Sequence, residues 1–308
     1  MKVIDIIKER QGHPFPSLEF VPPLKGDGIT RLYEAIEPLM EFKPPYMNIT
    51  CHKDERADGR IVSKRPGTVA IAAAIMKRFP VEVVPHMLCA YTTREEIENE
   101  LIDLNFLDID NVMALRGETT RGGEFRPEPG GYSHCSELVA QISGLNHGQY
   151  LEDNLQNAVP TNFCIGVAGY PEKHYQAPDF ATDIRHLKEK VDAGADYIIT
   201  QMFFDNRNFY NFVDLCRKEG ITCPIIPGLK PVSSKKHLSS LPESFALEFP
   251  EDLRREMERC GSDKEVYELG IEWCAAQSRD LLAHGAPAIH YYTMGRAANI
   301  KAVLRQIF

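Results

Sequence analysis

A glutamate stands alone inside an apolar run, Ser17-Leu18-Glu19-Phe20-Val21, just before Pro22 and Pro23 end it. Buried there, its carboxyl loses hydration and its pKa is expected to rise. A carboxyl that holds its proton near neutrality can deliver it as a general acid. A salt-bridged glutamate at a strand end accounts for the same pattern. A second run, Asn111 to Leu115, ends on Arg116, Gly117 and Glu118. These are a cation, a residue that lets the backbone approach a ligand closely, and an acid. A loop ion pair between Arg116 and Glu118 is the simpler reading. In the run Tyr197 to Phe204 the odd residue is Gln201. A buried amide must be hydrogen-bonded, either to neighbours or to the amide-like edge of a ligand; Phe203 and Phe204 read as core. Lys230, in the rigid turn Pro227-Gly228-Leu229-Lys230-Pro231, is either a Schiff-base lysine or a solvated loop lysine. Arg296, after His290-Tyr291-Tyr292-Thr293-Met294-Gly295, is either a helix-surface charge or a carboxylate clamp.

These residues need a frame, and the chain repeats one. Apolar runs recur at Ser17–Val21, Tyr46–Thr50, Val81–Leu88, Val112–Leu115, Phe163–Ala168, Tyr197–Phe203, Pro224–Ile226 and Ala288–Tyr292. Several are apolar nearly throughout, which suits parallel strands buried on both faces. Helical patterns follow almost every run. The clearest is Phe180–Ala193, with Ile184, Leu187 and Val191 on one face, and Leu253–His284 reads as two helices broken near Gly261-Ser262. Eight alternations predict an α/β fold closed as a (β/α)8 TIM barrel, a single domain over 1–308 with a short amphipathic helix at Met1–Arg10. A doubly wound open sheet is the competing architecture. In a barrel, polar residues at strand ends line the mouth. Here they are Glu19, Thr50, His86, Arg116 with Glu118, Tyr170, Gln201, Lys230 and Tyr292.

Composition narrows the partners. The net charge is −9 with no Lys/Arg cluster suited to a phosphate backbone, so nucleic acid is not expected. Anionic ligands would have to be drawn by a few placed cations. No apolar stretch nears the roughly 20 residues that span a bilayer. The charged start lacks a signal-peptide core, and the 8 cysteines include no C-x-x-C pair, which together point to a cytoplasmic protein with reduced thiols. There is no G-x-G-x-x-G, phosphate loop, zinc spacing or G-x-S-x-G elbow.

Taken together, S-x-E-F-x-P-P from Ser17, Ala114-Leu115-Arg116-Gly117-Glu118, Gly169-Tyr170-Pro171-x-x-His174, Ala193-Gly194-Ala195-Asp196 with Ile199-Thr200-Gln201, and H-x-Y-T-x-x-R ending at Arg296 resemble the methylenetetrahydrofolate reductase family. The resemblance runs from about Pro16 to the C-terminus with the motifs in order. It implies a barrel holding FAD non-covalently, reduced by NADH or NADPH in a ping-pong cycle that then reduces methylenetetrahydrofolate to 5-methyltetrahydrofolate. It also implies a homo-oligomer, dimer or tetramer. Carried over by position, Glu19 resembles the acid that protonates the folate and helps open its five-membered ring, and Glu118 a catalytic acid beside both ligands. Thr50, His86, Arg116, Gly117, Ser133, Tyr170, His174, Asp183, His186 and Lys190 resemble FAD contacts. Gln201, Tyr292 and Arg296 resemble folate contacts, with His174, Lys190 and Arg116 suited to phosphate and Arg296 to a glutamate tail.

The chain departs from the family pattern at three places. Glu118 stands where aspartate is common, His237 where a folate-contacting glutamine falls, and Gly295 where asparagine is frequent. Residues 144–160 are longer and more polar than in a compact relative, and against eukaryotic family members the resemblance leads us to expect no regulatory extension and no adenosylmethionine control. Two other functions fit the residues. One is a Schiff-base aldolase using Lys230; the other is a non-catalytic flavin or folate carrier acting with a partner subunit, which would need neither Glu19 nor Gln201.

Overall fold

A computed structural model describes residues 1–52, 64–117 and 127–308, together with the backbone of two short strands within 53–63. The strands are β1 (Phe15–Phe20), β2 (Tyr46–Ile49), β3 (Glu55–Ala57), β4 (Arg60–Ser63), β5 (Glu82–Leu88), β6 (Asn111–Leu115), β7 (Cys164–Gly169), β8 (Tyr197–Met202), β9 (Ile225–Leu229) and β10 (Ala288–Tyr292). Eight of them close a parallel barrel in the order β1-β10-β9-β8-β7-β6-β5-β2, and β3 and β4 form a separate antiparallel ribbon. All eight apolar runs became barrel strands, and the open-sheet alternative is overturned by closure of β1 on β10, where Phe15 to Glu19 pair in register with Ala288 to Tyr292. The ribbon had no signature in the hydrophobic pattern.

Alternation along each strand sorts the side chains. Leu18, Phe20, Met47, Ile49, Val83, Met87, Ile289 and Tyr291 point outward into the main core beneath the helices. Phe15, Tyr46, Val84, Met113, Cys164, Tyr197, Ile199, Ile226 and Ala288 fill the barrel, together with Val3 and Ile6 of the expected N-terminal helix, Val3–Glu9. That helix plugs the lower end. It is fastened by Asn111, whose Oδ1 accepts from the Val3 N–H at 2.8 Å and whose Nδ2 donates to the Met1 carbonyl at 2.9 Å. With one end plugged, the strands' C-terminal ends are left to form a site.

Crossover helices begin where caps allow. Arg94–Phe106 starts on a capping box in which Thr93 and Glu96 satisfy each other's backbone N–H groups, and Phe180–Asp192 starts on Asp179. The break expected near Gly261-Ser262 is real: Glu251–Arg259 ends before it and Asp263–Ala283 begins on Ser262. The helix His237–Phe245 was not anticipated, because Pro242 lies inside it and interrupts any longer pattern. It packs with Met202, Phe204, Val232, Phe249, Leu253, Met257 and Val266 in a third apolar cluster over the β8–β9 side of the mouth. After Leu145, residues 146–160 run as turns, pinned where the Leu151 N–H donates to Glu98 at 2.9 Å and the Tyr150 hydroxyl to the Val159 carbonyl at 2.8 Å. All eight cysteines are free, four of them buried. Among the described residues no helix is long and apolar enough to cross a membrane.

Gly270 shows how closely the long helix Asp263–Ala283 lies on the loop after β9. A Cβ there would sit 1.9 Å from the Val232 carbonyl oxygen, a backbone atom that cannot swing aside. Helix propensity alone favours alanine over glycine by about 1 kcal/mol, but overpacking costs about 1–3 kcal/mol or more. Gly270→Ala should therefore destabilise the protein, measured as a lower urea midpoint at unchanged m-value; a stabilised variant would show that the helix can ride outward freely.

Candidate active site

The mouth is built by strand alternation. Ser17 and Glu19 on β1, His86 on β5, and His290 and Tyr292 on β10 all point inward because their outward neighbours belong to the main core. Glu19, 9% exposed, places Oε2 at 3.6 Å from the Nε2 of both His86 and His290. The other ring nitrogen of His290, Nδ1, lies 2.9 Å from the Ser17 hydroxyl, so a polar chain runs Ser17–His290–Glu19 along the β1–β10 seam. Thr293 locks the strand end, donating from its hydroxyl and its N–H to the Glu19 carbonyl. Tyr292 stands edge-on to His290 at 4.9 Å and donates its hydroxyl to the Thr200 carbonyl at 2.7 Å.

The pKa expected to rise at Glu19 is instead lowered. Burial does push the carboxyl up, but the polar contact from His290 and the charges of His86, His290 and His52 outweigh it. His86 is driven down to about 4, by burial first and against the pull of Glu19. At neutral pH His86 is therefore uncharged, and His290 is the principal hold on the carboxylate. Sequence reasoning missed this because no local pattern puts residue 290 beside residue 19.

Around this carboxylate lies a cavity of about 330 Å³, lined among others by Thr50, His52, His86, Tyr91, Arg116, Gly117, Tyr170, His174, Gln201 and Tyr292. Leu115, Arg116, Ala168, Tyr170 and His174 also line an adjoining groove of about 200 Å³ that continues past His134, Cys135, Ser136, Asp183, His186 and Lys190. Of the expected mouth residues, all the described ones but Lys230 line the cavity; Glu118 lies outside the described residues. Gly117 has φ +96°, and a Cβ there would meet the Tyr91 ring at 2.8 Å, so both conformation and space demand glycine. A register irregularity in β8 between Ile199 and Met202 coincides with Gln201, whose Oε1 accepts from the Met202 N–H at 2.9 Å and leaves the amide nitrogen for a ligand.

In the groove, Lys190 donates to the Ala168 carbonyl at 2.6 Å, and burial lowers its pKa. Arg116 donates to Gln176 rather than standing free. His174, expected as a cation for phosphate, is pushed down to about 4 by burial and by the charges of Arg116, Lys190, Lys173 and His186. Its Nδ1 accepts from the Gln176 N–H at 3.2 Å, so the neutral ring carries its proton on Nε2 and offers a neutral donor there. Asp183 accepts from the His174 N–H at 3.1 Å and anchors that loop.

Ser133 does not line either space, but the next three residues do. They open the helix Cys135–Leu145, whose start could have been read from Glu137, which accepts from the Ser133 and His134 N–H groups. Also missed was Asn48, in register with Glu19, fully buried, and with no partner for either amide atom among the described residues. Its signal was a lone amide in an apolar run.

Three residues lie apart from the cavity lining. Arg296 is exposed at the start of the last helix. Lys230 is only 8% exposed, so the solvated-loop reading is overturned. His237 opens its own helix, Nδ1 accepting from the Ser233 N–H at 3.2 Å. Gly295 has φ +75°, a left-handed position suited to glycine and to asparagine, which explains that departure without any role in binding.

The described residues thus form a closed (β/α)8 barrel with a histidine-flanked carboxylate in its mouth and a cation-bearing groove beside it, where barrels of this kind carry their sites. The methylenetetrahydrofolate reductase family model matches residues 3–308, and the chain belongs to that family. It is 34% identical over 96% of its length to methylenetetrahydrofolate reductase (NADH) 1 of Arabidopsis thaliana, 48% of which is covered. It is 30% identical over 94% of its length to the 5,10-methylenetetrahydrofolate reductase of Salmonella typhimurium, 90% of which is covered. The chain thus spans about half the length of the eukaryotic relatives it matches. A solved structure of a Clostridium thermocellum protein that binds two copies of 5-methyl-5,6,7,8-tetrahydrofolic acid superposes with a TM-score of 0.61 at 14% identity, covering 98% of this chain and 96% of that one, a likeness of fold.

The depressed histidine gives a pH test. Between about 4 and 6.5 the unfolded chain holds a proton that folded His86 refuses, so stability falls as pH drops through that window. Glu19, lowered in the folded state, adds loss in the same direction at the acid end. At about 1.4 kcal/mol per pKa unit, the shift of His86 from 6.5 to about 4 contributes at most about 3.5 kcal/mol. His86→Asn should flatten the decline in unfolding free energy between pH 7 and 4.5; an unchanged slope would show that His86 titrates normally.

Proposed function

We propose that this chain reduces 5,10-methylenetetrahydrofolate to 5-methyltetrahydrofolate in a ping-pong cycle, with NADH or NADPH as reductant and FAD held non-covalently. The observation that carries the reading is Glu19, a buried carboxylate on a cavity that runs into a cation-bearing groove. The two joined spaces suit a long, bipartite ligand. Thr50, His86, Arg116, Gly117 and Tyr170 would hold FAD at the mouth, and His174, His186 and Lys190 in the groove, where Arg116 and Lys190 offer charge to a pyrophosphate. When bound, FAD supplies the hydride relay between nicotinamide and folate. Glu118 is assigned as a second acid, and Ser133 and Asp183 as supports of the FAD site, on the family resemblance. The same resemblance supports a dimer or tetramer, and the eight free cysteines without a C-x-x-C pair support a cytoplasmic location.

Glu19 delivers a proton to the folate amine that leaves as the five-membered ring opens. It is held low in the free site, so it must be raised to serve as an acid. A ligand that expels water deepens the burial penalty and lifts the carboxyl toward the range where it keeps a proton. Ser17 fixes the ring of His290, and His290 in turn holds the carboxyl in place for that transfer. Gln201 offers its amide N–H groups to the pterin edge, and Tyr292, its hydroxyl committed to Thr200, offers its ring. The aldolase reading loses ground because Lys230 does not line the cavity that holds Glu19. A carrier would not need a histidine-flanked acid at the mouth.

The protein should purify yellow and release FAD on denaturation; a colourless protein that fails to take up added FAD overturns the reading. Glu19→Gln is nearly isosteric but has no carboxyl proton. It should retain flavin reduction by NAD(P)H and slow the folate half-reaction by about a hundred- to ten-thousand-fold. Stopped-flow measurement of the two half-reactions separates these, and an undiminished folate step would remove Glu19 from the chemistry.

A further inference from the structure

We propose that Lys230 determines substrate specificity, forming with Arg296 a two-cation clamp for the γ-linked glutamyl tail of a folate; this rests on the folate reading above. Lys230 directly follows β9, and the register of β9 on β10 (Gly228 with His290, Leu229 with Tyr291) carries it alongside Tyr292. Arg296 lies in the loop leaving β10. Tyr292 and Met294, on the segment that leads to Arg296, line the mouth cavity, as does Phe245 at the end of the helix His237–Phe245. An apolar rim followed by positive charge suits a benzoyl body with a carboxylate end.

What makes the pair informative is the missing partner. Lys230 is 8% exposed, yet neither it nor Arg296 makes a hydrogen bond or ion pair with any acid among the described residues. Buried charges are normally paired, and this chain has 44 acidic residues from which a partner could have come. Instead the neighbours repel. Burial and then Arg296 draw the Lys230 ammonium down to about 8, and His237 is pushed to about 4 by burial and then by Lys230 and Arg296. Asp263, the acid that acts on His237, is engaged with the Lys235 N–H at 2.9 Å. Lys230 brings three donors and no acceptor. Arg296 offers a planar fork that suits one carboxylate, and the compact ammonium of Lys230 suits another. A single carboxylate would need only one of them, whereas a glutamyl tail presents at least two.

The test compares Lys230→Met, Lys230→Arg and Arg296→Met with the wild type on reduced folates carrying no glutamate (pteroate), one, or three. In the wild type, kcat/KM should rise with tail length. Lys230→Met should shrink the preference for triglutamate over pteroate about tenfold or more, the value of a desolvated charge-assisted contact, and Lys230→Arg should restore most of it. Calorimetric binding of 5-methyltetrahydrofolate with one and three glutamates should give the same ranking without turnover. Replacing an unpaired buried charge by an apolar isostere is neutral or stabilising. The Tm of free Lys230→Met should therefore hold or rise, while triglutamate should raise it less than in the wild type. Equal losses on pteroate and triglutamate, or a lower Tm with the preference intact, would reduce Lys230 to a packing role and overturn the inference. A change in NADPH over NADH preference with folates unaffected would move the clamp to a nucleotide phosphate and overturn it too. A wild type that reduces folates with no tail preference sinks this inference alone; one that neither binds nor reduces any folate sinks the folate reading as well.

Discussion

A carboxylate buried at the seam where the first and last strands of the barrel meet constrains the rest of the site. Glu19 has almost no solvent, so its charge must be met by protein groups, and those come from elements far apart in the chain. β10 brings His290 against it and Thr293 over its carbonyl; β5 brings His86. A one-residue slip of β1 on β10 would turn Ser17 and Glu19 outward and Leu18 inward, losing the polar chain and a buried leucine together. Closure of the barrel and assembly of the site are thus one event. The helix Val3–Glu9 supports it by plugging the opposite end, which leaves the C-terminal mouth as the cavity.

The electrostatic pattern is one of restraint. The chain is acidic overall, and the site is not a broad basic surface. His86, His174 and His237 are all held near 4 and are uncharged at neutral pH. Positive charge is left to a few side chains: Arg116 and Lys190 in the groove, Lys230 and Arg296 at the rim. A fixed cation at low dielectric attracts an anion more strongly than the same charge at an open surface. Near neutrality those three histidines hold no charge to lose, whereas Lys230, drawn down to about 8, begins to lose its own just above it.

Much of this was legible in the chain. Each barrel strand appeared as a short apolar run, because strands buried on both faces have no polar alternation to show. Polar residues that ended those runs marked the mouth, and Glu19, Thr50, His86, Arg116, Tyr170, Gln201 and Tyr292 do line one cavity. Family motifs in order added the groove residues His174, Asp183, His186 and Lys190, which also meet. Gly117 was read as a place where the backbone can approach a ligand; in the fold, a left-handed backbone packed against Tyr91 is what requires the glycine.

Other features depended on distances that no local pattern encodes. The direction of the Glu19 pKa was misread because desolvation is a property of one residue, whereas compensation by His290 depends on a partner 271 positions away in the numbering. His174 reads as a cation from its residue type, and burial, followed by the charges of Arg116 and Lys190, makes it neutral. Lys230 reads as a loop lysine, since a turn flanked by prolines looks exposed until the long helix Asp263–Ala283 is laid across it. By itself, then, the sequence determined the elements, their order and the residue types at strand ends, because burial and turn formation act over a few residues. Tertiary structure alone decided which of those side chains share a solvent-free space, and therefore which carry charge, because electrostatic free energy depends on through-space separation and dielectric.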